Sequence, residues 1–285
     1  MKKLFLRSTL LVFSAATLIL SFPSCENSET DIQDELIQEE NVMINSGYLA
    51  LPEAEYNKIP LAAAISKTKA YPTSVALNCP PVRNQGGEGS CVSWGVGYAA
   101  RSISWQAANG GAYSLDYNIF SPEFIYNQIK VGDCGSGSYV SDGLNLIQND
   151  GVCLWADMPY TDVSCDLLPN NTQVALAANY KIANYTRLSI TLDAFKDQLA
   201  AGKPIVVGGS VYKSFMYLGY DEIQTSTKGR VLGGHCYCVV GYDDSKNAFK
   251  VINSWGTTWG TDGFGWVSYD IMLKVWQEAY VLTEK

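Results

Sequence analysis

Histidine is almost missing from this chain of 285 residues, with His235 the only one. One imidazole, and no close cysteine pair besides Cys236 and Cys238, argue against a structural zinc site, which takes four such ligands. Basic charge is scarce as well. The net charge is −8, and the excess is local: nine acidic and no basic residues lie between Glu26 and Asn57. From Lys58 onward, 17 Lys and Arg face 19 Asp and Glu. A near-neutral body with no basic stripe excludes a nucleic-acid footprint. The acidic segment reads as a solvated, poorly ordered spacer. Long apolar runs are also lacking. The one candidate, Leu10 to Leu20, is too short to span a membrane. No internal repeat is visible.

That short run follows Lys2, Lys3 and Arg7 and ends before Phe22-Pro23-Ser24-Cys25, so residues 1–24 read as a secretory signal peptide. Cys25 after the small Ser24 resembles the lipidation site of bacterial lipoproteins. Glu26, Glu29 and Asp31 behind it resemble the surface-export signals of some of them. The expectation is an exported outer-membrane lipoprotein, facing the periplasm or the cell surface and touching membrane only through its lipid anchor. The plainer alternative is a cleaved signal peptide that happens to contain a cysteine. In an oxidising compartment some of Cys79, Cys134, Cys153, Cys165, Cys236 and Cys238 should pair. Six cysteines allow fifteen complete pairings, which the residues alone leave open.

Residues 25–70 form a spacer, and from about Val42 to Ala70 it becomes mildly apolar around Leu61-Ala62-Ala63-Ala64-Ile65. Two readings stand: a short prosegment that blocks a cleft until removed by a cut between Lys67 and Tyr71, or a tether. From Cys91 the pattern turns helical, with Val92, Val96, Ala99, Ile103 and Ala107 at three- to four-residue spacing and Gly110-Gly111 as a stop. Ser121-Pro122-Glu123 opens a second helix with cap, proline and acid in order. Leu144 to Asn149 and Leu192 to Ala201 read as two more. The period then changes. Pro204 to Val211, His235 to Tyr242, Phe249 to Ser254 and Phe264 to Tyr269 are short, β-branched or aromatic, and bounded by turn residues. Helices first and strands later make an α+β protein, two unlike layers meeting at a cleft. Cys236 and Cys238 share a face of one strand and read as small core residues. Asn170-Asn171-Thr172 and Asn184-Tyr185-Thr186 match a glycosylation pattern at chance frequency.

The chemistry gathers at three places. Cys91 follows Gln85-Gly86-Gly87-Glu88-Gly89-Ser90 and opens a helix. There, unpaired N–H groups and the macrodipole favour a thiolate, and the glycines let a substrate backbone approach. Gln85, six residues upstream, can give a side-chain N–H to a developing oxyanion beside the Cys91 N–H. His235 lies 144 residues after Cys91, behind Gly233-Gly234 at a strand start, and Asn253 lies 18 residues further on. Asn253 can accept from the imidazole and fix its tautomer, with Trp255 covering that bond. Taken singly, Cys91 and His235 would be structural residues; the combination is what points to nucleophilic catalysis.

These blocks resemble the papain family of cysteine peptidases. Pro81-Val82-Arg83-Asn84-Gln85-Gly86 is similar to the family's approach to its cysteine, and His235 to Tyr242 to its histidine strand. Asn253-Ser254-Trp255-Gly256-Thr257-Thr258-Trp259-Gly260 with Asp262-Gly263-Phe264 is similar to its asparagine block. The resemblance spans about Tyr71 to Tyr269. It implies Cys91 as nucleophile, His235 as base and then acid, Asn253 as orienter and Gln85 in the oxyanion hole. It also implies a two-lobed fold over 71–285. A helical lobe (85–185) with a long central helix starting at the nucleophile would face an antiparallel, β-barrel-like lobe (186–285), with Tyr71–Arg83 crossing between. A Cys134–Cys165 disulfide follows by the same analogy, as does endopeptidase action on protein or peptide substrates without metal or organic cofactor. Gly135-Ser136-Gly137 serves as a backbone platform for extended substrate, with Gly234 and Trp255 beside it. The long charged helical pattern of the larger family propeptides is missing. Glu88 stands where the family has a disulfide cysteine, Val92 replaces an aromatic residue whose space Trp94 could fill, and Gly233-Gly234 remove a pocket side chain. The competing readings are a transglutaminase-like acyl transferase, disfavoured by Asn253 in place of an aspartate, and a catalytically silent papain-fold binding protein, which should lack a catalytic member.

Overall fold

A computed structural model describes residues 47–66, 68 and 70–285. The signal-peptide, lipidation and acidic-spacer expectations before Gly47 lie outside the described residues. So do Lys67 and Lys69 in the expected cleavage region.

After the short helix α1 (Glu53–Tyr56), the central helix, α2, begins at Cys91, as an α-turn Cys91–Ser93 that passes through a π-helical stretch Trp94–Arg101 into α-helix Ser102–Asn109. Close packing accompanies the π stretch. A Cβ on Gly95 would stand 2.8 Å from Cys236 Sγ, and one on Gly97 2.5 Å from Ile125 Cδ1. Gly110, at φ 74°, stops the helix. Helix α3 (Pro122–Ile129) starts with Ser121 Oγ accepting from Phe124 N–H. Helix α4 runs Val140–Asn149, four residues earlier than the periodicity placed it, because its first turn has no side-chain cap to mark it. Helix α5 (Asn171–Ala177) was not expected at all. Asn170 and Gln173 form a reciprocal capping box, so the Asn170-Asn171-Thr172 run is a helix start.

Apart from a two-stranded pair of β1 (Tyr48–Leu49) and β3 (Ser138–Tyr139), the described strands form one sheet with the path β4 (Asn184–Arg187), β10 (Trp276–Thr283), β5 (Ile205–Tyr212), β7 (Val231–Asp243), β8 (Ala248–Ile252), β9 (Phe264–Ser268), β6 (Ile223–Gln224). β2 (Ser74–Ala76) pairs with the end of β7 beyond β5. The expected barrel is therefore an open sheet. Its two edges, a four-residue and a two-residue strand, do not pair with each other, and β6 joins β9 in parallel. Helix α6 (Leu192–Ala200) packs on the strand-rich half.

Strand β7 divides the interior by its period of two. Cys236, Cys238 and Val240 point into a core shared with Val92, Val96, Phe124, Ile125 and Leu144 of the helices. Tyr237 and Val239 point into a second core with Phe195, Phe249, Val267 and Trp276. Cys236 and Cys238 are thus the small core residues expected. Each such buried apolar side chain stabilises by about 1.5–3 kcal/mol. Exposed ion pairs such as Lys58–Glu55 contribute about 0–1 kcal/mol, so the cores decide the fold. One ionic contact is different: Arg101, fully buried, donates to Glu284 at 2.6 Å and to the Tyr180 carbonyl, and lies over Trp105 and Phe120. Glu284→Ala leaves that guanidinium buried without its counter-charge. Urea unfolding should show a loss of roughly 3 kcal/mol; a loss within the surface-pair range would show that the pair adds little.

Candidate active site

Cys91 and His235 come from different layers, Cys91 at the start of α2 and His235 on β7, and these two elements pack against each other. Both are fully buried. The backbone N–H of Cys236, next to His235, is directed at Cys91 Sγ. His235 Nε2 lies 2.8 Å from Asn253 Oδ1, which also accepts the Ser254 N–H at 2.8 Å. An oxygen receiving a backbone donor is fixed as the acceptor, so the imidazole carries its proton on Nε2. That leaves Nδ1 as a base, buried and without a hydrogen-bond partner. Trp255 stacks on the imidazole at 4.4 Å and 23°.

Gln85 is held from the asparagine block. Its N–H donates to the Ser254 carbonyl at 2.8 Å, and Ser254 Oγ donates to its Oε1 at 2.5 Å. Its Nε2 donates to the Glu88 carbonyl at 3.0 Å. The Tyr160 hydroxyl lies 2.6 Å from the Gln85 carbonyl oxygen, 2.7 Å from Ser90 Oγ and 3.2 Å from Glu88 Oε2. Burial, with Glu123 nearby, pushes the Glu88 carboxyl up to about 7. Cys134 and Cys165 are joined by a disulfide beside Glu88, so that grouping offers a single carboxylate and not a metal-ligand set. Trp94 packs among Tyr98, Trp155 and Tyr160, and Val92 lies in the first core.

The cleft is occupied by the chain's own leader. Gly47 N–H donates to Cys91 Sγ at 3.2 Å, and the Gly47 carbonyl accepts from Ser138 N–H at 2.7 Å. β1 (Tyr48–Leu49) pairs in parallel with β3 (Ser138–Tyr139). Gly135, Ser136 and Gly137 form the wall beside it. A Cβ on Gly137 would come within 2.4 Å of the Gly47 oxygen, and Gly89 sits under the Ser136 carbonyl. Gly234 backs the Tyr48 carbonyl at 2.4 Å from its own missing Cβ. The catalytic and substrate-binding residues singled out from the sequence therefore fall around one cleft, while Cys25 lies outside the described residues. The residues missed are Gly47, Tyr48, Tyr160 and Ser254. No local pattern marks Gly47 and Tyr48, whose partners lie far along the chain.

Enclosure sets the protonation states. Burial pushes the Cys91 thiol up to about 11, opposed by backbone N–H donors, Gly47's first. Burial pulls His235 down to about 4, opposed by Asn253. With the leader in place both groups are neutral at pH 7.

An α+β fold with a thiol at a helix start, facing an imidazole held by an amide, defines the thiol-peptidase class of cleft. The family profile for papain family cysteine protease matches residues 69–281, and the chain belongs to that family. Among solved structures, xylellain, a cysteine protease from Xylella fastidiosa, is similar at TM-score 0.74 and 26% identity, covering 85% of this chain and 96% of that one. A procathepsin B from Trypanosoma congolense shares the fold at TM-score 0.68 and 18% identity, covering 84% and 86%. A cathepsin B-like CP3 of Giardia intestinalis is 29% identical over 196 residues, 65% of this chain and 63% of that protein. Matches to the first curated relatives thus span less than two thirds of their length.

A side chain at residue 47 cannot be seated, since a Cβ there would lie 1.7 Å from the Gly89 oxygen. Gly47→Val in the full chain should therefore lift the leader and speed alkylation of Cys91 at pH 7. Unchanged labelling would mean that this contact does not shield the thiol.

Proposed function

We propose that this chain is a cysteine peptidase of the endopeptidase type, made as a covered precursor. Residues 1–24 direct export, Cys25 carries a lipid anchor in the outer membrane, and the segment through Gly47–Ser66 serves as the prosegment. The observation that carries the reading is the Gly47 N–H on Cys91 Sγ beside the His235–Asn253 bond. A peptide backbone already lies against the thiol, and the imidazole belongs to the residue next to Cys236, whose N–H is directed at the same sulfur.

Once the leader leaves, His235 Nδ1 takes the Cys91 proton. The resulting ion pair, at a helix N-terminus, lowers the thiol pKa into the range ~3.5–7.5. A four-unit fall corresponds to about 5.4 kcal/mol in favour of the charged pair. The thiolate adds to the scissile carbonyl, and the oxyanion is met by the Cys91 N–H and Gln85 Nε2. The imidazolium protonates the leaving amine as the C–N bond breaks, giving a thioester. Water, deprotonated by the imidazole, then releases the acid and restores the thiol.

Alkylation of Cys91 against pH tests the ion pair. In the covered chain, with the thiol at about 11, labelling should fade as pH falls below that value. In a chain starting near Tyr71 it should persist to about pH 6 and be lost in His235→Ala. Labelling that rises only near ~8.5 in both would sink the ion pair. Separately, Gln85→Ala should lower kcat by ~10²–10³ with a smaller change in KM; equal loss in a ground-state binding assay would remove its oxyanion role.

A further inference from the structure

Tyr160 has one phenolic proton and three neighbours that compete for it. Its hydroxyl is 2.6 Å from the Gln85 carbonyl, 2.7 Å from Ser90 Oγ and 3.2 Å from Glu88 Oε2. Two of these neighbours belong to residues that carry the oxyanion donors. Gln85 bears the side-chain donor, and Ser90 forms the peptide that bears the Cys91 N–H. Glu88 also holds Gln85 directly, because its backbone carbonyl accepts from Gln85 Nε2 at 3.0 Å. The oxyanion donors are thus tied, through one hydroxyl, to a carboxyl group that the proposed mechanism does not use.

Glu88 is 2% exposed, and its Oε1 is buried without a hydrogen-bond partner. The groups that face it are Glu123, Tyr126 and Lys130 from α3 and its end, Tyr160 and Asp162 from the loop before α5, and the Cys134–Cys165 disulfide. Two of these are carboxyls. Lys130 donates to the Asn127 and Cys165 carbonyls at 3.1 and 2.8 Å and makes no hydrogen bond to Glu88 among the described residues. A buried carboxylate with one long donor and two acidic neighbours is poorly stabilised. The neutral acid is the form these surroundings favour. With the carboxyl pushed up to about 7, both forms are reached in ordinary solution.

The two forms send the Tyr160 proton in opposite directions. A neutral Glu88 can donate to the phenolic oxygen, which leaves the Tyr160 proton for the Gln85 carbonyl. An ionised Glu88 has acceptor oxygens only. It then competes with the Gln85 carbonyl for a single proton, and a charge-assisted hydrogen bond is about twice as strong as a neutral one. We propose that Glu88 is a positioning residue for the oxyanion hole: neutral, it keeps Tyr160 on the Gln85 carbonyl, and ionised, it draws Tyr160 away and loosens Gln85. This rests on the peptidase reading above. Turnover then falls as pH rises through the Glu88 titration, while the thiolate stays reactive.

The test follows kcat against pH in the full-length chain carrying Gly47→Val, with internally quenched peptides of mixed sequence. Between about pH 6 and about pH 8, kcat should fall roughly tenfold at nearly constant KM, a fraction of the ~10²–10³ that loss of an oxyanion donor costs. Alkylation of Cys91 by iodoacetamide should not fall over the same interval. Glu88→Gln keeps a donor and gains no charge, so the falling limb should disappear; Glu88→Ala, without a donor, should give a low kcat throughout. A limb that persists in Glu88→Gln, or one that the alkylation rate follows, overturns the assignment. Absence of any turnover that depends on Cys91 overturns the peptidase reading and this inference with it. A second measurement needs no turnover. Infrared difference spectra of the natural full chain against Glu88→Gln should show a protonated carboxyl below about 7 that is lost above it. A carboxylate already ionised at about pH 6 counts against the proposal.

Discussion

Gln85 and Ser254 hold each other through two hydrogen bonds, and this seam is where the helical layer is registered on the sheet. Gln85 gives its backbone N–H to Ser254 and takes the Ser254 hydroxyl on its side chain, while Asn84 bridges to Trp255. Immediately beside Ser254, Asn253 fixes the imidazole, and six residues beyond Gln85 the helix opens at the thiol. The placement of the thiol, the imidazole and the Gln85 amide thus rests on contacts within the chain that need no substrate. Such preorganisation is what lets a donor stabilise developing charge without first rearranging.

The same enclosure that aligns these groups also silences them. Desolvation favours the uncharged form of both acid and base, raising the thiol and lowering the imidazole. As the proposed prosegment, the leader would do more than obstruct a path. By excluding water it removes the solvation that an ion pair would need, and by donating Gly47 N–H it occupies the sulfur.

Much of this could be read from the chain because the signals are local. The glycines before Cys91, the apolar period after it, the cap at Ser121 and the alternation of Cys236 and Cys238 each reflect forces acting within a few residues. What escaped depends on distant partners. Two-residue β1 has no period to display, and its pairing with Ser138 and Tyr139 joins segments far apart in the chain. Whether a sheet closes into a barrel is decided by edge strands β4 and β6, whose pairing no alternation encodes. Glu278 breaks the apolar pattern of β10, so a strand with a buried carboxylate did not read as a strand. The capping box at Asn170 is local too, but the 7-residue helix it opens is too short to display a clear period.

The leader is gripped at separated points on the sheet side: Leu51 by Glu278, and Ile65 and Ser66 by the Asp197 carboxylate at 2.6 and 2.7 Å. While the chain is continuous, these contacts act at an effective concentration on the order of millimolar, set by the connection to Tyr71 and not by how much protein is present. Severing that connection breaks none of the contacts. It turns the segment into a separate ligand, whose occupancy then falls with dilution. Two populations of the same cut molecule, one crowded on a surface and one dispersed in solution, would carry different fractions of open clefts.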